Sequence, residues 1–208
     1  MQTKPFKYLF RIQYLGLRYH GWQVQKGVKT IQGTLEKTFR YVLQHDNFKI
    51  LGSSRTDAGV SCLNGAFELF LPDSIDPKNM INPINEFLPA DIRVLEGFQS
   101  NYDFNIIQDV AKKSYGYYFS FGPKPHPMFA GSVAYAGKSL NLDLMREGAA
   151  LFEGMHDFRR FCSHGKNTHD FIRDITYSQL DESPEDFEFL PKKNSKVFRV
   201  KGSGFLMH

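Results

Sequence analysis

Phe6, Tyr8, Phe10, Ile12 and Tyr14 occupy alternate positions, with Lys7, Leu9, Arg11 and Gln13 between them. This period of two predicts a half-buried strand. Beyond the turn-rich residues 16–23 the period changes: Ile31, Leu35, Phe39, Val42 and Leu43 recur at helical spacing behind Thr30, whose hydroxyl suits an N-cap. Residues 49–51 predict a short strand, 52–59 a polar loop and 66–71 another strand. Asp76 and Pro77 predict the N-cap and first residue of a helix running toward Leu88, and residues 92–98 a closing strand. The order β-α-β-β-α-β is that of ferredoxin-like and four-stranded RNA-binding modules.

The second half repeats this order loosely. Tyr115, Tyr117, Phe119 and Phe121 alternate as a strand, residues 122–127 turn, and residues 133–136 predict a further strand. Leu142, Met145, Ala149 and Phe152 share one helical face, with Gly154 at the expected C-terminal cap. Residues 172–180 and 196–205 predict strands flanking the acidic stretch 181–189, and Gly202 and Gly204 predict a bulge. The expectation is an α/β (α+β) chain of two ferredoxin-like halves, residues 1–103 and 104–208, with mainly antiparallel sheets and a cleft between them.

Composition narrows the class. With 41% hydrophobic and 15% aromatic residues the chain is too apolar for disorder. It contains no apolar run long enough to cross a bilayer, and Lys4, Lys7 and Arg11 interrupt the N-terminal stretch without a signal-peptide pattern. The cytoplasm is the expected location. Cys62 and Cys162 are too far apart in sequence to suggest a disulfide framework or a thiolate zinc site.

Charge is uneven along the chain. Residues 1–60 hold ten basic and three acidic residues, residues 61–111 two and eight, and residues 112–208 fourteen and eleven. A basic first segment interleaved with aromatics, including Arg18, Tyr19, Trp22 and Lys26, suits phosphate neutralisation and base stacking, or a solvated strand face beside buried rings. The loop from Gly52 to Gly59 places Arg55 and Asp57 between glycines at a strand end. A carboxylate there can serve as nucleophile, base or electrostatic stabiliser, or simply cap a turn. Residues 16–23 gather Trp22, His20 and Arg18, for RNA stacking or to anchor a packed loop. His156, Asp157, Cys162, His164 and His169 match no zinc spacing, so no metal is expected, and no phosphate-cradling motif is present.

Together these segments resemble the TruA family of tRNA pseudouridine synthases. Residues 16–23 are similar to the family's Gly-x-x-(Tyr/Phe)-x-Gly-Trp-Gln, Thr30-Ile-Gln32 to its first helix, and Leu88-Pro-Ala-Asp-Ile92 to its Leu-Pro-x-Asp-Ile segment. Arg55-Thr-Asp-Ala-Gly-Val60 resembles the catalytic motif in all six positions. Lys113-Ser-Tyr115-Gly-Tyr117, Gly154-Met-His-Asp-Phe158 and residues 202–208 resemble its later strands and loop. The resemblance implies a homodimeric isomerase without cofactor or metal, converting uridine to pseudouridine in tRNA, in the anticodon stem-loop. It implies Asp57 as the catalytic carboxylate. Arg55 replaces a flipped base or clamps its phosphate, Tyr115 stacks on the base with Tyr117 packed beside it, and Arg18, Lys26, Lys112 and Lys113 grip the RNA.

Three positions depart from the family pattern. Phe104-Asn-Ile-Ile107 stands where Phe-x-Ala-Arg is usual, Gly116 where Arg is usual, and Ser61 where His is frequent. The family's last strand continues to a basic partner of the catalytic Asp, whereas this sequence stops at His208, which suggests an incomplete end. The alternative expectation is an RNA-binding module of the same fold with impaired turnover.

Overall fold

Strand β1 (Phe6–Tyr14) buries the face its alternation predicts: Tyr8, Phe10, Ile12 and Tyr14 are inside, while the residues between them are partly exposed. This is a computed structural model, and it describes residues 5–163, 170–181 and 194–206. The chain divides into two units, one ending at Val110 and the other beginning at Ala111.

In the first unit β1 is followed by α1 (Ile31–Leu43), β2 (Lys49–Gly52), β3 (Cys62–Leu71), α2 (Ile81–Phe87) and β4 (Ile92–Gln99). The strands form one antiparallel sheet in the order β2-β3-β1-β4, the split arrangement of a ferredoxin-like module. Thr30 caps α1 by accepting the Gly33 N–H, and Ile31, Leu35 and Phe39 turn inward. Phe10 stacks on Phe67 at 5.3 Å, and Phe39 meets both rings edge-on at 6.0 and 5.9 Å, the offset geometries that aromatic quadrupoles favour.

Helix α2 begins later than Asp76-Pro77 suggests. The Asp76 carboxylate accepts from the Lys78 N–H and the Asn79 side-chain amide, closing a turn of its own before the helix starts at Ile81. Pro83 then falls in the first helical turn, where its missing N–H costs little.

Residues 104–110 stay with the first unit, beyond the expected boundary at 103, because Glu68 holds them there. Glu68 is 1% exposed on β3, where it accepts from the Ser100 hydroxyl and the Ile106 N–H. Lys7 pairs with it at 3.5 Å and donates to the carbonyls of Tyr102 and Phe104.

The second unit contains β5 (Lys113–Ser120), β6 (Ala134–Tyr135), α3 (Leu142–Ala150), β7 (Gly154–Asp157), β8 (Ile172–Asp181) and β9 (Ser195–Gly202). Its sheet runs β6-β5-β9-β8-β7, antiparallel except for the short β5–β6 pair, and α3 packs against β8. Asn141 caps α3 through the Leu144 N–H. Gly154 does not cap this helix, which ends at Ala150; it opens β7 with a φ of 101°. The irregularity expected near Gly202 lies on the facing strand, between Ile175 and Tyr177. Strand β9 stops at Gly202, and Phe205 turns back toward β5. The acidic residues 182–189, His164, His169 and His208 lie outside the described residues. Among those described, no helix is long and apolar enough to cross a membrane.

Candidate active site

Two loops of the first unit, residues 16–23 after β1 and residues 53–61 between β2 and β3, are fastened to each other by their backbones. The Trp22 N–H donates to the Thr56 carbonyl at 2.9 Å, and the Gly59 N–H donates to the Tyr19 carbonyl at 3.1 Å. Within the second loop the Val60 N–H returns to the Asp57 carbonyl at 3.2 Å. The hydroxyls of Tyr14 and Thr56 lie 2.8 Å apart, and Ser61 Oγ accepts the Gly16 N–H at 2.9 Å.

Close approach makes the glycines necessary. Gly21 has a φ of 85°, and a Cβ there would lie 2.5 Å from the Thr56 carbonyl oxygen. Trp22 is 4% exposed and Tyr19 3%, so the aromatic residues of the first loop anchor it and are not available to stack on RNA. The result is an exposed Asp57 whose neighbours Thr56 and Gly59 are each tied to the first loop. Arg55, on the same loop, is also exposed.

Arg18 and Lys26 do not join this arrangement equally. Arg18 donates through Nε and Nη2 to Asp91 Oδ2, at 3.0 and 2.6 Å, while the Tyr19 hydroxyl donates to Asp91 Oδ1 at 2.7 Å. Asp91 is 7% exposed along its side chain and Arg18 67%. Burial pushes the Asp91 carboxyl up, but Tyr19 and Arg18 outweigh it and hold the group below its ordinary range. Burial, reinforced by the same carboxylate, pushes the Tyr19 phenol upward. Lys29 covers the other side of Tyr19 with its ammonium 4.6 Å from the ring centroid. Lys26 stands exposed in the turn beyond. Asp91 is the positioning residue that sequence reasoning missed. The signal was the acidic position of Leu88-Pro-Ala-Asp-Ile92, but nothing in a linear reading connects it with Arg18 and Tyr19.

In the second unit Tyr115 and Lys113 lie on β5, opposite Val200 and Gly202 of β9. The Tyr115 ring meets Phe205 edge-on at 4.9 Å. Phe205 in turn lines an apolar cavity of about 240 Å³ with Phe152, Phe158, Phe161, Phe198 and Val200. Among the described residues Arg173 is the one charged residue of that lining, a second residue not singled out from sequence. Burial lowers the Lys113 ammonium below its ordinary value. Tyr117 is not packed as expected: it is 61% exposed, and its ring neighbour among the described residues is Phe119 at 6.4 Å. Lys112 is exposed just before β5.

Among the described residues no three His, Cys, Asp or Glu side chains gather as a metal site would require. The first unit presents a carboxylate on a braced loop, and the second unit presents a tyrosine beside an apolar cavity.

Comparison with known proteins gives the same direction. A family model described as tRNA pseudouridine synthase matches residues 149–208. The tRNA pseudouridine synthase A of Exiguobacterium sibiricum is 34% identical over 195 residues, covering 94% of this chain and 74% of the relative. That of Syntrophomonas wolfei is 33% identical over 171 residues, covering 82% and 68%. The tRNA pseudouridine synthase A 2 of Desulfotalea psychrophila is 28% identical over 215 residues, covering 95% and 78%.

Proposed function

The chain belongs to the tRNA pseudouridine synthase A family, and from that premise we propose that it isomerises uridine to pseudouridine in the anticodon stem-loop of tRNA with Asp57 as its catalytic carboxylate. The reaction breaks the bond from the ribose C1′ to N1 of uracil and forms one from C1′ to C5. The C5 proton is lost, and N1 finishes protonated. Atoms and oxidation state balance overall, so the proposal names no cofactor and no metal.

The observation that carries the assignment is the double fastening of the Asp57 loop by the Trp22 N–H and the Tyr19 carbonyl. A carboxylate that attacks the sugar, or assists loss of its proton, gains rate from being held near the reacting atoms before substrate arrives. Arg55, exposed beside it, supplies a planar cation for a phosphate or for the space left by a flipped base. Tyr115 offers a ring for the base, and the cavity behind Phe205 keeps its surroundings apolar. Lys26, Lys112 and Lys113 neutralise RNA backbone, with Arg18 in a lesser role because Asp91 already engages it. The protein acts in the cytoplasm as a homodimer in this reading.

The test is release of tritium from C5-labelled uridine in unmodified tRNA. The wild-type chain is expected to release it, whereas Asp57→Asn abolishes release and keeps tRNA affinity within about 1 kcal/mol. Turnover by that variant overturns the role of Asp57, and release from tRNA lacking anticodon stem-loop uridines overturns the location.

A further inference from the structure

On the solvent side of the first unit, away from the core face of α1, a groove of about 680 Å³ runs between α1, the segment that follows Trp22, and the end of α2. Val24, Val28, Tyr41 and Phe87 are its large apolar residues and Lys29 and Lys37 its charged ones. Among the described residues no Asp or Glu belongs to the lining. The lining residues of α1 and its cap recur at positions 30, 33, 34, 37, 38 and 41, a single stripe beside the one formed by Ile31, Leu35 and Phe39, with Thr30 and Thr38 buried at its floor.

We infer that this groove binds a segment of the tRNA outside the target loop. The inference rests on the tRNA reading above and adds a second contact to it. Three features match RNA. The two ammoniums without a carboxylate suit a polyanion. Tyr41 and Phe87, 56% and 48% exposed with centroids 4.5 Å apart, present ring surface to which a base can add. The Thr34 hydroxyl donates to the Thr30 carbonyl at 2.8 Å, leaving its lone pairs to accept from a ribose 2′-hydroxyl or a base N–H.

Gly33 keeps the floor low. A Cβ there would lie 3.0 Å from Thr30 Oγ1 and 3.8 Å from Val24, so any side chain would begin to fill the groove where helix propensity alone favours alanine. The groove also begins two residues beyond Trp22, on the segment that braces Asp57. The Asp57 loop and the groove thus belong to the same unit.

The experiment measures affinity for intact unmodified tRNA and turnover of the shortest stem-loop fragment that the wild type still converts. Lys37→Glu and Tyr41→Ala are each expected to weaken intact tRNA about tenfold, and Tyr41→Phe to retain affinity. Lys37→Glu should also flatten the slope of log affinity against log salt by about one unit. Turnover of the fragment should stay at the wild-type level in all three. Unchanged tRNA affinity, or an equal loss on fragment and tRNA, overturns the groove as a separate contact. Loss of self-association with unchanged affinity per protomer assigns it to a second copy of the chain and equally overturns the proposal. If the wild type converts neither RNA, the functional reading fails, and the affinities for intact tRNA still decide the role of the groove.

Discussion

The indole of Trp22 occupies the space into which a side chain at Gly52 would project: a Cβ built on Gly52 would lie 2.3 Å from Trp22 Cε2 and 2.5 Å from Nε1. The last residue of β2 and the anchor of the neighbouring loop are thereby fitted to each other, and the backbone N–H of the same Trp22 holds the Thr56 carbonyl next to Asp57. Packing at Gly52 is thus coupled to the geometry of the Asp57 loop.

Gly52→Ala should therefore act at a distance on Asp57. The added methyl must displace a buried indole, which costs about 1–3 kcal/mol by overpacking, and the shift moves the Trp22 N–H away from Thr56. Urea unfolding should register the loss of stability, and kcat should fall more than tRNA affinity. Adding Trp22→Phe to Gly52→Ala relieves the clash, so the double variant should recover part of the stability. Simple additivity of the two substitutions would show that they do not share a contact.

Tyr115 separates stacking from hydroxyl chemistry. Tyr115→Phe keeps the ring against Phe205 and removes one oxygen, so a large fall in turnover with little change in affinity would assign the hydroxyl to proton handling or orientation. Tyr115→Leu should weaken RNA binding as well, by about 1–3 kcal/mol for a lost base–aromatic stack. Wild-type behaviour of both variants in binding and tritium-release assays would return Tyr115 to a purely structural role.

Salt dependence distinguishes Lys26 from Arg18. A phosphate contact by exposed Lys26 releases a counterion on binding, so Lys26→Ala should reduce the slope of log affinity against log salt by up to about one unit. Arg18 already neutralises Asp91, and Arg18→Ala should change the slope less while loosening the loop it ties down. Equal slope changes would place both side chains on phosphate.

Much of this was legible in the chain because local and tertiary signals agree there. Strand β1 and helix α1 follow their hydrophobic periods, and Thr30 caps where its hydroxyl predicts. Errors arose where a polar residue had two local uses, as when Asp76 closes a turn of its own rather than capping α2. They also arose where the partner is distant in sequence. Glu68 interrupts the apolar run from Ala66 to Leu71, and its burial is explained by distant partners, Lys7 of β1 and the chain returning at Ser100 and Ile106. Arg18 was readable as basic, but its engagement by Asp91 was not. The Arg55–Val60 motif singles out the loop proposed to carry the chemistry. The structure adds why that loop holds its form, through backbone bonds to Tyr19 and Trp22 that side-chain identity does not reveal.

The Asp91 cluster should give the fold a defined pH window. Asp91 titrates below its ordinary value of 3.8 in the folded chain, so its contribution is fully present above that value and is lost as acid carries the pH through the lowered folded-state value. Tyr19 titrates above its ordinary value of 10.0, so its contribution is present below that value and is lost as alkali carries the pH through the raised one. Between these limits the phenol donates and the carboxylate accepts, with Arg18 alongside. Asp91→Asn should therefore destabilise the protein at pH 7 by about 1–3 kcal/mol, the range for removing a charged partner from a buried hydrogen bond. The gap to wild type should narrow as the pH falls below about 4, where the carboxyl of the unfolded chain takes up its proton before that of the folded one. Tyr19→Phe should lose stability at neutral pH and show a weaker alkaline decline than wild type. Urea midpoints at pH 3, 5, 7 and 10 test both branches, and a gap between Asp91→Asn and wild type that stays constant down to pH 3 would show that the Asp91 charge does not stabilise this loop.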